Sequence, residues 1–200
     1  MSASELYKED NLEQMHSLGK AKIPSFMLGR DQSASQKGIA LHLFLEFADY
    51  KEASLDLMGQ IEKLTSKKFI SKEQASSLNI ESLKRFFQSN LMKRIINAES
   101  YKRELRFNVE YDENIIKSNE VKNIKNELIV LQGAIDCVFI EDGKAVIVDY
   151  KNNSFDDENE YIKKYSNQLN LYKYAASKSL NIEVKECIVY SFKKGKEIYI

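Results

Sequence analysis

Apolar residues recur along this chain with two different periods, and the change falls near the midpoint. Over residues 35 to 52, Leu41, Phe44, Leu45 and Ala48 return at helical spacing, which predicts one strong helix. Leu55 to Leu64 predicts a second helix, and Ser71 to Ser77 a third with Glu73 and Gln74 in its first turn. Ile80 to Asn97 carries Leu83, Phe86, Phe87, Leu91, Ile95 and Ile96, the pattern of one or two helices. Beyond residue 100 the period shortens. Leu105, Phe107 and Val109 alternate within Tyr101 to Tyr111, as in a half-buried strand. The charged, Asn-rich stretch 112–126 reads as a mobile connection. Two apolar runs follow, 128–140 and 145–151, joined by Glu141-Asp142-Gly143-Lys144. Asp-Gly between such runs is a hairpin signal. An acidic loop over 152–159 leads into an amphipathic helix, 160–179, with Tyr165, Leu169, Tyr172 and Ala176 on one stripe. Strands are expected at 184–192 and from 197. Met1 to Leu6 is compatible with a short helix capped by Ser2 with Glu5 three positions on.

This order predicts an α/β protein with a mixed central sheet flanked by helices and a helical N-terminal half. The chain reads as one domain over 1–200, with 1–100 mainly helical and 101–200 a β-rich core.

The hairpin brings chemistry with it. Closing it pairs residues whose numbers sum to about 284 or 285, so Asp136 meets Asp149 or its neighbour. Two carboxylates side by side in an apolar sheet are costly without a cation between them. Lys151, two residues past Asp149, projects from the same face. Two acidic oxygens and an ammonium on one face suit a hard divalent cation and an anionic substrate. An Asp-Lys pair at strand spacing is ordinarily a weak surface ion pair; here the flanking Val146, Ile147 and Val148 argue for burial.

Composition narrows the classes. Lys and Arg total 30 and Asp and Glu total 30, so any surface that attracts nucleic acid must be local. Cys137 and Cys187 are the only cysteines, both in apolar strand-like runs. They read as buried free thiols, and no Cys/His cluster suggests zinc or iron–sulfur binding. Few cysteines, with no leader and no membrane-length apolar run, point to a reducing, cytoplasmic setting without a membrane partner. His16 lies in a polar stretch and reads as a surface residue. The Lys84-Arg85 and Lys93-Arg94 pairs read as solvated helix positions.

Four motifs occur in order: Gly38-Ile39-Ala40-Leu41-His42, Gly133-Ala134-Ile135-Asp136, Asp149-Tyr150-Lys151 and Gln168-Leu169-Asn170-Leu171-Tyr172. Each alone is weak. Together they resemble G-x-x-x-H, G-x-x-D, D-Y-K and Q-x-x-x-Y of the RecB-like branch of the PD-(D/E)xK nuclease superfamily, most like its AddA-type helicase–nuclease members. Tyr101 to Phe107 resembles the family's first core strand, with Glu104 at its acidic position. Asn152 departs from the threonine usual after the lysine, and no phosphate-binding loop of a helicase engine occurs.

The resemblance implies a restriction-endonuclease-like core and a metal-dependent deoxyribonuclease acting on single-stranded DNA in double-strand-break repair. It implies Mg²⁺, or Mn²⁺ given an imidazole ligand, held by His42, Asp136, Asp149, the Tyr150 carbonyl and Glu104. Lys151 would orient or deprotonate the attacking water or stabilise charge at phosphorus. Gln168 and Tyr172, one turn apart, would contact the phosphate or the adjacent nucleotide. Partners implied are helicase domains of a parent chain and an AddB-like partner. The alternatives are a stand-alone RecB-family exonuclease of phage or mobile-element origin, and a non-catalytic DNA-binding scaffold. A lone histidine on an amphipathic helix is usually a surface residue, and a Gln/Tyr pair one turn apart is often just a solvated face. The company of the other motifs is what raises His42, Gln168 and Tyr172 to candidates.

Overall fold

The structure, a computed structural model, describes residues 32–111, 129–153 and 155–200. The expected helix at residues 1–6, His16 and the connection at 112–126 lie outside them. The elements are α1 (Gln32–Phe47), α2 (Tyr50–Leu55), α3 (Leu57–Ser66), α4 (Lys72–Ser77), α5 (Ile80–Phe87), α6 (Asn90–Asn97), β1 (Ser100–Tyr111), β2 (Ile129–Glu141), β3 (Lys144–Lys151), α7 (Glu158–Leu180), β4 (Val184–Ser191) and β5 (Lys196–Tyr199). Among the described residues no helix is long and apolar enough to cross a membrane.

Local chemistry sets the breaks. The helix expected over 35–52 is two helices. Asp49 accepts hydrogen bonds from the amides of Lys51 (2.9 Å) and Glu52 (3.0 Å), so it caps a new helix rather than continuing the old one. The freed carbonyl of Ala48 accepts a hydrogen bond from Arg103. Ser71 and Gln74 form a reciprocal capping box at α4. Ser89 caps α6 and thereby separates it from α5. Asp142 (φ 54°) and Gly143 (φ 68°) both take left-handed backbone in the two-residue β2–β3 turn, matching the twist of the flanking strands.

The sheet order is β1-β2-β3-β4-β5, with β3 and β4 parallel and all other neighbours antiparallel. The parallel pair needs a crossover, and α7 supplies it. Helices α1 to α6 pack on one face with Cys137, Phe139, Val146, Val148, Tyr150, Ile188 and Tyr190. Helix α7 packs on the other, against Leu131, Ile135, Val138, Ile147 and Val189. Both cysteines are buried free thiols.

Strict alternation fails at one rung. Cys137 belongs to the helical layer, yet Ile135, two residues earlier, belongs to the α7 layer. β1 shows the same reset. Arg103 lies over the Tyr50 ring on the helical side, whereas Leu105 packs on the α7 side. Between them Glu104 has φ 47°, in the left-handed region disfavoured for a side chain of this kind. Arg103 pairs with Cys137 and Leu105 with Ile135, which leaves Glu104 and Asp136 opposite each other on the irregular rung.

Two arginines expected to be solvated are instead engaged by the sheet. Arg94 forks to Glu141 and to Glu186, each at 2.8 Å, and Lys185 adds a contact to Glu141 at 2.7 Å. Arg85 donates to the carbonyl of Phe192. In each case the amphipathic helix turns its basic residue along the sheet end, where acidic or carbonyl oxygens wait; composition does not reveal such partners.

Two measurements check this architecture. A Cβ at Gly133 would lie 2.6 Å from Cζ of Phe107, so Gly133→Ala should destabilise by about 1–3 kcal/mol in chemical denaturation. Hydrogen bonds from Arg94 and Lys185 hold Glu141 at about 2 against an ordinary 4.5. That stabilisation is present above pH 4.5 and is lost as pH falls toward 2. Acid titration should therefore show wild type more stable than Glu141→Gln near neutrality, with the gap closing below about pH 4.5.

Candidate active site

The irregular rung, the end of β3 and two helices converge. The last described β2–β3 pair before the strands part is Cys137 with Val148. Past it, the Asp136 carboxylate takes over as partner for the sheet, accepting a 2.6 Å hydrogen bond from the Tyr150 amide through Oδ2. In a strand the N–H and C=O of one residue point to the same edge, so the Tyr150 carbonyl is directed to this side too. The Tyr150 side chain points the other way. Its ring is buried edge-on to Phe86 and Phe192, and its hydroxyl lies 3.3 Å from that of Tyr50. This core anchor fixes the backbone between Asp149 and Lys151.

From the helical layer, α1 brings His42, whose Nδ1 is 3.2 Å from Asp136 Oδ1. From β1 comes Glu104. One ligand atom from each of His42, Glu104 and Asp136 lies within 4.8 Å of the others. Magnesium–oxygen bonds of about 2.1 Å put opposite ligands about 4.2 Å apart, so these three need close in by only tenths of an ångström. Two carboxylates and an imidazole match magnesium or manganese in ligand type. The residues present thus fit a divalent cation.

Asp149 lies outside that close group and is engaged by Lys151 instead. Nζ of Lys151 is 3.1 Å from Oδ1 and 2.8 Å from Oδ2. Only the longer contact has hydrogen-bond geometry, so Oδ2 is buried without a hydrogen-bond partner among the described residues. Such an atom is costly unless a donor or cation completes it. Asp149 and Lys151 share a face, as their spacing predicts.

From α7, Gln168 donates from Nε2 to the Tyr172 hydroxyl at 2.8 Å. Tyr172 is buried, with Phe107 edge-on to it at 5.9 Å, and Phe107 itself lies over Gly133. The glycine of G-x-x-D therefore makes room for the ring that seats Tyr172. Gly38 has no such role, since nothing lies within 4 Å of a Cβ built there. Two site residues carry no motif signal. Tyr165 has Lys151 Nζ 4.8 Å from its ring centroid, and Asn153 donates to the Tyr165 hydroxyl at 2.7 Å. In the sequence Tyr165 stands out only as a core stripe residue. The signal that could have singled it out is its position three residues before Gln168 and seven before Tyr172.

The charges are mutually dependent. Burial works against an ionised Asp136, but His42, Lys151 and the Tyr150 amide outweigh it and hold its carboxyl below the usual range. Burial also opposes protonation of His42, yet Asp136 beside it raises the imidazole. Burial and Asp136 push the Asp149 carboxyl up against the pull of Lys151. Burial would lower Lys151, but Asp149 and Asp136 keep it raised. Burial, then Asp136, lifts Glu104 to about 7. A cleft of about 720 Å³ runs along β1 from Glu46 past Glu104 to Arg106, giving access from solvent.

Comparison with known proteins agrees with this arrangement. An ATP-dependent helicase/nuclease subunit of Clostridium novyi (strain NT) is 36% identical over 206 residues, covering 100% of this chain and 17% of the relative. The protein of the same name from Clostridium acetobutylicum is 34% identical over 178 residues, covering 86% of this chain and 14% of the relative. That of Clostridium botulinum (strain 657) is 32% identical over 199 residues, 98% of this chain and 16% of the relative. The chain thus spans only 14–17% of the length of these relatives. The sequence profile of the PD-(D/E)XK nuclease superfamily matches residues 14–199, nearly the whole chain, and with its mixed five-stranded sheet and helical N-terminal half the protein belongs to that superfamily.

Proposed function

We propose that this chain hydrolyses phosphodiester bonds of single-stranded DNA with a divalent metal ion, as the nuclease part of a helicase–nuclease. The observation that carries the reading is the juxtaposition of His42, Glu104 and Asp136 with the Asp149–Lys151 pair at the open end of the sheet. The helicase setting, a role in break repair and an AddB-like partner are suggested by the names and lengths of the relatives.

A divalent cation bound here supplies Lewis-acid charge neutralisation at phosphorus and an acidified water. His42, Asp136 and Glu104 would hold it, with the Tyr150 carbonyl and Asp149 turned to the same end. Lys151 is held as an ammonium by the carboxylates beside it. That suits it to donate to the attacking water or to a non-bridging phosphate oxygen rather than to remove a proton. Gln168 and Tyr172 form a donor pair on the α7 face; one amide hydrogen of Gln168 is spent on Tyr172, leaving the other and the phenol to meet a phosphate oxygen. The neutral net charge of the chain implies weak affinity for DNA on its own, because phosphate contacts supply most non-specific binding.

Cutting of a fluorescent single strand in Mg²⁺ should fall by more than about a hundredfold in Asp149→Ala and in Lys151→Ala, and vanish with chelator. Wild-type-like cutting by both variants would contradict the reading, and would favour a DNA-binding scaffold if strand binding persists. The Glu104 carboxyl gives a pH test. Its folded value of about 7 exceeds the ordinary 4.5, so its protonation stabilises the metal-free fold fully below pH 4.5 and that contribution is lost as pH rises through 7. Melting temperatures of wild type and Glu104→Gln should therefore diverge in favour of the Gln variant between pH 5 and pH 8. Added Mn²⁺ should then stabilise wild type more than the variant.

A further inference from the structure

We propose that Tyr165 is a positioning residue for Lys151, holding the ammonium on its ring face at the place where the reaction needs it. This rests on the nuclease reading above. Lys151 has two described contacts: the Asp149 carboxylate and the ring of Tyr165 at 4.8 Å. They differ in kind. Asp149 is itself a candidate metal ligand, so its grip on Lys151 competes with that duty. The ring competes for nothing. Its negative face attracts an ammonium without accepting its proton or neutralising its charge. It also occupies the flank of a four-carbon stem that would otherwise sample many rotamers.

The ring is itself fixed. Tyr165 is buried on α7. Its hydroxyl accepts the 2.7 Å hydrogen bond from Asn153, and Asn153 lies two residues beyond Lys151 in the segment leaving β3. The segment that carries the lysine therefore also orients the ring on which the lysine rests. The neighbouring hydroxyl of Tyr161 reaches the Asn153 carbonyl (3.2 Å) and Ser191 (2.7 Å), tying the same segment to β4. Tyr165, Gln168 and Tyr172 follow at helical spacing, so one face of α7 delivers the ring, the amide and the phenol to one place. Lys164 also lies near the ring, at 5.7 Å, but sits closer to Phe155, at 4.9 Å, and is exposed.

Two measurements test this, one independent of activity. An aromatic face shields protons above it, so the Cε protons of Lys151, assigned by their loss in Lys151→Arg, should resonate upfield of those of ordinary lysines. Tyr165→Phe should keep that shift, Tyr165→Leu should abolish it, and Asn153→Ala, which frees the ring without opening the core, should reduce it. In single-strand cleavage with Mg²⁺, Tyr165→Leu should lower kcat about tenfold with KM nearly unchanged, while Tyr165→Phe stays near wild type. Phe155→Leu, in the same aromatic cluster but facing Lys164 rather than Lys151, should leave kcat unchanged. In a Lys151→Ala background, Tyr165→Leu should cost nothing further. The proposal is overturned if wild-type Lys151 shows an ordinary shift, if Tyr165→Phe is as impaired as Tyr165→Leu, or if the loss is the same in the Lys151→Ala background. Should Asp149→Ala and Lys151→Ala both cut normally, the nuclease reading fails instead, and the shift still decides the contact.

Discussion

An excess of negative charge at one end of the sheet governs this structure. Glu104, Asp136 and Asp149 converge there, against a single ammonium from Lys151 and an imidazole from His42. Like charges in a poorly solvated place repel strongly, and a protein relieves that by protonating some of them or by binding a cation. The metal-free site does the former. Asp136 takes the imidazole, the lysine's field and the Tyr150 amide, and ionises readily, while Asp149 and Glu104 are pushed toward their neutral forms. The site is therefore electrostatically incomplete in a way that a divalent cation would complete.

The fold supplies the means to hold such charges together. The phase reset at the Glu104–Asp136 rung, with Glu104 in left-handed backbone, brings two acidic side chains to the same place where regular pleating would have sent the neighbouring residues steadily to one face each. Strain of this kind costs of order 1–3 kcal/mol and persists only where the surroundings enforce it. Here Tyr150 anchored on Phe86, and Phe107 laid over Gly133, are the enforcing contacts. The crossover helix and the helical layer then reach the sheet end from opposite faces, so His42 and the α7 stripe meet around the strand termini.

Much of this was legible in the sequence. The Asp-Gly turn set the β2–β3 register, and period-two spacing put Asp149 and Lys151 on one face, as found. The Ser71–Gln74 spacing marked a helix start that is indeed a capping box. Other features were not legible because they depend on tertiary partners. The apolar pattern runs smoothly through Ala48, and only the capping by Asp49, with Arg103 taking the Ala48 carbonyl, ends the helix there. Arg94 looks like any basic residue on a solvated helix until Glu141 and Glu186 arrive from distant strands. Alternation in β1 and β2 gives no sign of the reset, since residues on both sides of it are apolar. The motifs group Asp149 with the metal ligands, whereas the closest-gathered group is His42, Glu104 and Asp136, a set that spacing alone could not rank.

Such a concentration of charge should bind a single divalent ion at the sheet end, and anomalous diffraction from crystals soaked in Mn²⁺ decides whether it does. One strong peak is expected within bonding distance of His42, Asp136 and Glu104, on the side to which the Tyr150 carbonyl and Asp149 turn. Manganese bound elsewhere on the surface, with these side chains still paired only to one another, would refute the metal site.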